Sequence, residues 1–136
     1  MKNELTIDAV TENLPRVQSF VEEYLETAGC PLKTRVQIGV VVEEIFVNIA
    51  HYAYAPGTGR AAVRVELSGD LSSVTITFLD SGVPYNPLDR PDPDITLPAE
   101  ERPVGGLGIY ITKKTMDRVF YEYRDGKNIL TLQKNL

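Results

Sequence analysis

Leu32-Lys-Thr-Arg-Val-Gln-Ile-Gly-Val-Val-Val-Glu-Glu-Ile-Phe-Val-Asn48, continuing to Tyr54, is the stretch from which the rest of the chain can be placed. Apolar residues recur at Val36, Val40, Val41, Ile45, Val47 and Ile49, and no proline interrupts them, so the spacing predicts one helix over about residues 32–54. Its apolar surface is wide, which implies neighbours on nearly every side. Gln37, Glu44, Asn48 and His51 fall on a single stripe of that helix. Such a stripe is either a solvated face or the polar wall of a cavity, and the apolar width favours the wall. There Glu44 can accept a proton from an attacking hydroxyl, and Asn48 offers a hard oxygen to magnesium. Glu43 lies about 100° around the helix and is the lesser candidate. His51 reads as a packed or hydrogen-bonded histidine.

Working outward, Glu4-Leu-Thr-Ile-Asp8 alternates like a strand, and Thr11-Glu-Asn-Leu-Pro15 opens a helix that Gly29 and Pro31 stop. Beyond Pro56-Gly57-Thr58-Gly59 come two alternating runs, Val63, Val65, Leu67 and Val74, Ile76, Phe78. With a Ser68-Gly69-Asp70 turn between them, they predict an antiparallel pair with one buried face. Six of the nine prolines then fall between residues 84 and 103, which excludes helix or central strand there. A loop that long inside a compact domain is commonly a functional lid. Order resumes at Gly105 with a helix to about Met116, then a Val119–Arg124 strand, the Asp125-Gly126 hairpin signal and a strand from Asn128 to Gln133. The sum is an α/β (α+β two-layer) sandwich with a mostly antiparallel mixed sheet covered on one face by helices.

Composition bounds the function. The 136 residues fit a single domain, 1–136, with 43% hydrophobic and 24% charged residues. A net charge of -5 gives no field that attracts nucleic acid or anionic membrane, so neither is expected as a direct partner. Cys30 is alone, so no intrachain disulfide or cysteine cluster forms. The polar start Met1-Lys-Asn-Glu-Leu and the lack of a spanning-length apolar run lead to the expectation of a cytoplasmic protein.

Two further segments carry chemistry. Asp80 ends the second strand of the pair where a side chain emerges into a crevice, and Gly82 gives a ligand access to backbone two residues later. Asp80 there can accept from an exocyclic amine such as adenine N6, while Asp-Ser-Gly is also ordinary turn chemistry. Gly105-Gly106-Leu107-Gly108 precedes an apolar helix and exposes amide donors at the positive end of its dipole, suited to phosphates, although a hinge has the same composition.

Taken in order, Glu44-x-x-x-Asn48, Asp80-x-Gly82-x-Pro84-Tyr-Asn-Pro87 and Gly105-Gly-Leu-Gly108 resemble the N, G1 and G2 boxes of the ATPase superfamily of type II topoisomerases, histidine kinases and mismatch-repair ATPases. The short length and the Asp-x-Gly-x-Pro-Tyr-x-Pro form are similar to the anti-sigma factor serine/threonine kinases. The resemblance implies a Bergerat-type fold with an ATP lid at about 85–104. It implies Glu44 as general base, Asn48 as magnesium ligand, Asp80 and Gly82 at the adenine, and Gly105, Gly106, Leu107 and Gly108 at the phosphates, with Arg102 reaching the terminal phosphate. It also implies ATP and Mg2+ as ligands, a small antagonist (anti-anti-sigma-like) protein as substrate, a sigma factor as second partner, and a homodimer. Two positions depart: His51 lies three residues after Asn48 where many members place a histidine four after, and Asn86 replaces a common aspartate. The alternative to a kinase is a non-catalytic module that binds ATP and captures a partner.

Overall fold

The computed structural model describes residues 2–89 and 107–136. Strand β1 (Lys2–Asp8) leads through a short 3-10 turn into helix α1 (Leu14–Thr27). Helix α2 (Leu32–Asn48) follows and is continued by a π-helical turn, Ile49–Ala53. The hairpin β2 (Arg60–Leu67) and β3 (Ser73–Asp80) comes next, then helix α3 (Leu107–Thr115) and the closing hairpin of β4 (Arg118–Arg124) and β5 (Lys127–Asn135). The sheet order is β1-β2-β3-β5-β4, and all four pairings are antiparallel.

The alternation predicted for the central strands sets the layers. Val63, Phe78 and Leu130 form one cross-strand row and Val65, Ile76 and Leu132 the next, all buried. The row nearest the site is Ala61, Asp80 and Asn128, so two polar side chains share the parity of the core. Against this face α1 buries Val17, Val21, Tyr24 and Leu25, and α2 buries Ile38, Val41, Val42, Ile45 and Phe46, an i, i+3, i+4, i+7, i+8 stripe. Positive φ at Asp125 (55°) and Gly126 (76°) makes the tight final hairpin, as the Asp-Gly pair predicts.

Two expectations about α2 need correction. Its apolar residues are not surrounded, because Leu32, Val36 and Val40 are 67%, 59% and 41% exposed. They lie off the single stripe that meets the sheet, and a helix in a two-layer fold has only one covered side. In addition, Leu32–Ala53 is 22 residues and contains an 18-residue window with a mean hydropathy of 1.2, long and apolar enough by composition to cross a membrane. Its core face carries Ile38, Val41, Val42, Ile45 and Phe46, and Lys33, Arg35, Glu43 and Glu44 interrupt the apolar run.

Candidate functional site

A cavity of about 740 Å³ opens at the end of the sheet where β3 stops, between α2, the π-helical turn, the loop after β3 and the start of α3. That lies within the range of about 300–1,000 Å³ typical of small-molecule sites. Its walls are apolar at Ile45, Ile49, Phe78, Ile109 and Leu130, with polar groups gathered at two places, Glu44 with Asn48 and Asp80 with Asn128.

On α2 the structure brings Glu44 and Asn48 to the cavity and leaves Gln37 and His51 outside it, both exposed. The π-helical turn explains the break in the stripe: it advances less per residue than an α turn, so His51 falls short and Tyr52 continues the wall. The His51 ring instead stands edge-on to Tyr52, centroids 5.9 Å apart. Glu44 lies against the first turn of α3, where a Cβ added to Gly108 would come within 2.2 Å of its Oε2. A glycine is thus required for carboxylate and helix start to meet, and the helix dipole there favours the negative charge. Neither Glu44 nor Asn48 makes a side-chain hydrogen bond to another described residue.

Asp80 is buried at the end of β3. Its Oδ1 accepts from the Gly82 N–H at 2.9 Å, an Asx turn, and from Asn128 Nδ2 at 3.0 Å. Asp80 therefore makes the turn and also lines the cavity. Gly82 is packed tightly. A Cβ there would lie 2.2 Å from the Ala53 carbonyl oxygen, and Val83 N–H donates to that same carbonyl at 3.0 Å. Gly82 makes room for the end of the π-helical turn, and it is Val83, Pro84 and Tyr85 that face the cavity.

The expected lid at 85–104 is described only to residue 89. Those residues form a 3-10 turn, Pro87–Asp89, with Pro87 buried in the cavity wall. Asn86 caps it, its Oδ1 accepting from Leu88 N–H at 2.9 Å and its Nδ2 donating to Asp89 at 3.2 Å. Arg102, Gly105 and Gly106 lie outside the described residues. Leu107 begins α3, and Gly108 lines the cavity.

The sequence reading missed Asn128, Tyr121 and Tyr54. Tyr54 hydroxyl accepts from Ser81 N–H at 2.7 Å and donates to the Arg60 carbonyl, joining the π-helical turn to the ends of β2 and β3. Tyr121 donates to Asn128 Oδ1. Burial pushes the Tyr121 hydroxyl up from its usual range and the Asp80 charge adds to this, so it stays a protonated donor at neutral pH. A signal for Asn128 was present: it precedes Leu130 and Leu132 in the inward register, as Asp80 follows Val74, Ile76 and Phe78. A polar residue continuing an apolar parity marks a group that faces the core side.

Residues 7–134 match the histidine kinase-like ATPase domain. The chain is similar to the serine/threonine-protein kinase BtrW of Bordetella bronchiseptica, 28% identical over 100 residues, which cover 74% of this chain and 70% of that protein. It is similar to the serine-protein kinase RsbW of Bacillus cereus, 25% identical over 133 residues, covering 95% and 82%. Among solved structures, the RsbU and RsbW domains of a Mycobacterium tuberculosis protein align with a TM-score of 0.68 at 18% identity, over 100% of this chain and 32% of that one. The SiaB-SiaC complex from Pseudomonas aeruginosa gives a TM-score of 0.56 at 16% identity, over 97% and 89%. At these identities the two structures speak to the fold, and the chain spans about a third of the mycobacterial one.

Proposed function

We propose that this chain, which belongs to the histidine kinase-like ATPase family, binds magnesium-ATP in the cavity and phosphorylates a serine or threonine hydroxyl of a small anti-anti-sigma-like protein. The observation that carries the reading is the meeting of Glu44 and Asn48 from α2, Asp80 from β3 and Gly108 from α3 around one cavity of nucleotide size. Glu44 and Asn48 keep polar atoms without described partners, and Asp80 keeps Oδ2, so the donor set fits an adenine at one end and a metal-bound triphosphate at the other. Magnesium, when bound, offsets phosphate charge and keeps waters of its own, so one amide oxygen from Asn48 serves where a full protein cage is absent among the described residues. Glu44 accepts the proton of the attacking hydroxyl as that oxygen bonds to the terminal phosphorus and ADP leaves. The amides opening α3 add positive dipole where charge gathers.

The names of the relatives support a serine/threonine-protein kinase. Sequestration of a sigma factor by the same surface, a homodimer and a cytoplasmic setting complete the reading. The test incubates the full chain with radiolabelled magnesium-ATP and a small anti-anti-sigma-type protein from the same organism, and follows label on that partner. Label on a single serine or threonine supports the kinase. Binding of ATP and partner without label at any magnesium concentration would replace it with the non-catalytic capture module.

A further inference from the structure

Asn128 stands opposite Asp80 at the start of β5, buried, with every polar atom engaged. Its Oδ1 accepts from the Tyr85 N–H at 3.1 Å and from the Tyr121 hydroxyl. Its Nδ2 donates to Asp80 Oδ1 at 3.0 Å and to the Val83 carbonyl at 2.9 Å. The direction of the amide follows from its neighbours, because a backbone N–H can only donate and a carbonyl can only accept. Two acceptor sites and two donors are all an asparagine side chain has, so Asn128 has nothing left for a ligand.

Its effect falls on Asp80. Both donors to that carboxylate, Asn128 Nδ2 and Gly82 N–H, converge on Oδ1 and leave Oδ2 without a described partner. One hydrogen bond would leave the carboxylate free to turn about it, whereas two from different directions fix its plane. The same amide ties the carboxylate to Val83 and Tyr85, the strip of loop that walls the cavity.

We infer that Asn128, held in turn by Tyr121, is a positioning residue for base recognition, presenting Asp80 Oδ2 in one orientation to the 6-amino group of a purine. The inference rests on the nucleotide reading above and deepens it. A buried network in which every member is satisfied rigidifies what it holds, and this one joins β3, β4, β5 and the loop.

Calorimetry on the full chain tests it with two ligands, magnesium-ATP and the magnesium triphosphate of purine riboside, which lacks the 6-amino group. The wild type should prefer ATP by on the order of tenfold or more, the range for a hydrogen bond to a charged acceptor. Asn128→Ala should collapse that preference towards the value of Asp80→Ala, and the double variant should show no further loss, because the two act as a unit. Tyr121→Phe, which deletes one hydroxyl and keeps the ring, should lower the preference by about twofold to threefold, and it carries the test if Asn128→Ala fails to fold. Wild-type preference in the variants that fold, or equal weakening of both ligands, would reduce Asn128 to a structural amide and overturn the inference alone. A wild type that binds neither ligand, or both equally, would overturn the adenine reading and this inference with it.

Discussion

The two polar ends of the cavity are built in opposite ways. At the sheet end Asp80, Asn128 and Tyr121 are bonded to one another and to the loop, with one carboxylate oxygen left over. At the helix end Glu44 and Asn48 stand one turn apart on α2 with no side-chain hydrogen bond to a described residue. The contrast matches the two tasks proposed. A base is recognised by a fixed pattern of donors and acceptors, so its wall gains from being set in advance. Proton and metal transactions need groups whose lone pairs are still free when the ligand arrives.

The largest effect should come from the helix end. Glu44→Gln keeps the size and much of the hydrogen-bonding capacity but cannot take a proton, so phosphoryl transfer should fall by a factor on the order of 100 or more while ATP affinity survives. Asn48→Ala should act on binding instead, weakening the magnesium-dependent part of nucleotide affinity. Transfer rates and calorimetry on both variants break the contrast if Glu44→Gln transfers at the wild-type rate, since Glu44 would then be a structural carboxylate.

At the sheet end the expected change is in affinity and base choice. Asp80→Ala should cost about 1.5–3 kcal/mol, or roughly tenfold to a hundredfold in ATP affinity. It should also erase a preference for ATP over GTP, because guanine presents a carbonyl where adenine presents an amine. Equal binding of ATP and GTP by the wild type would remove Asp80 from this role.

How far these ends were legible in the sequence follows the same division. Glu44 and Asn48 could be read because helical spacing is local, and Asp80 because it closes an alternating strand. Asn128 is 48 positions from Asp80, and only the β3–β5 register places them side by side. The strands, both early helices and the Asp-Gly hairpin were legible, since each announces itself within a few residues. The π-helical turn was not, because Ile49-Ala-His-Tyr-Ala53 carries no composition that separates it from a continuing helix. Nor was the packing of Gly82 against Ala53, since a glycine that admits a ligand and one that admits a neighbouring carbonyl look alike in one dimension.

That ambiguity gives a pair of smaller, opposed effects. In Gly108→Ala the new Cβ meets the tip of the Glu44 side chain, which can swing aside, so the fold should hold while transfer drops, by about tenfold from misplacement of the base. In Gly82→Ala the new Cβ meets the backbone of Ala53, which cannot yield as cheaply. Stability should fall by about 1–3 kcal/mol, as in other overpacked sites. Thermal melts and transfer rates on both variants would sharpen the contrast, and a destabilised Gly108→Ala with an intact Gly82→Ala would reverse it.

The smallest effect concerns a second aspartate that makes the same local turn without a cavity. Asp70 accepts from the Ser72 N–H at 3.1 Å, as Asp80 does from Gly82, and also from the hydroxyls of Ser72 at 2.7 Å and Ser68 at 2.8 Å. These hydrogen bonds, Ser72 first, hold its carboxyl down from the usual 3.8 to about 2. A carboxyl depressed in the folded state adds stability above its unfolded value and loses it as pH falls through the folded one, so the contribution should fade between about 3.8 and about 2. Asp70 is fully exposed, and solvent keeps that contribution small. Carbon NMR of the carboxyl should show it titrating near 2, and Ser72→Ala should move it back towards 3.8. Asp70→Ala should lower the melting temperature less than Gly82→Ala does and leave nucleotide affinity unchanged. If it weakened ATP binding as much as Asp80→Ala, the effect of Asp80 would belong to turn formation in general, and the division between a recognition wall and an ordinary hairpin turn would fail.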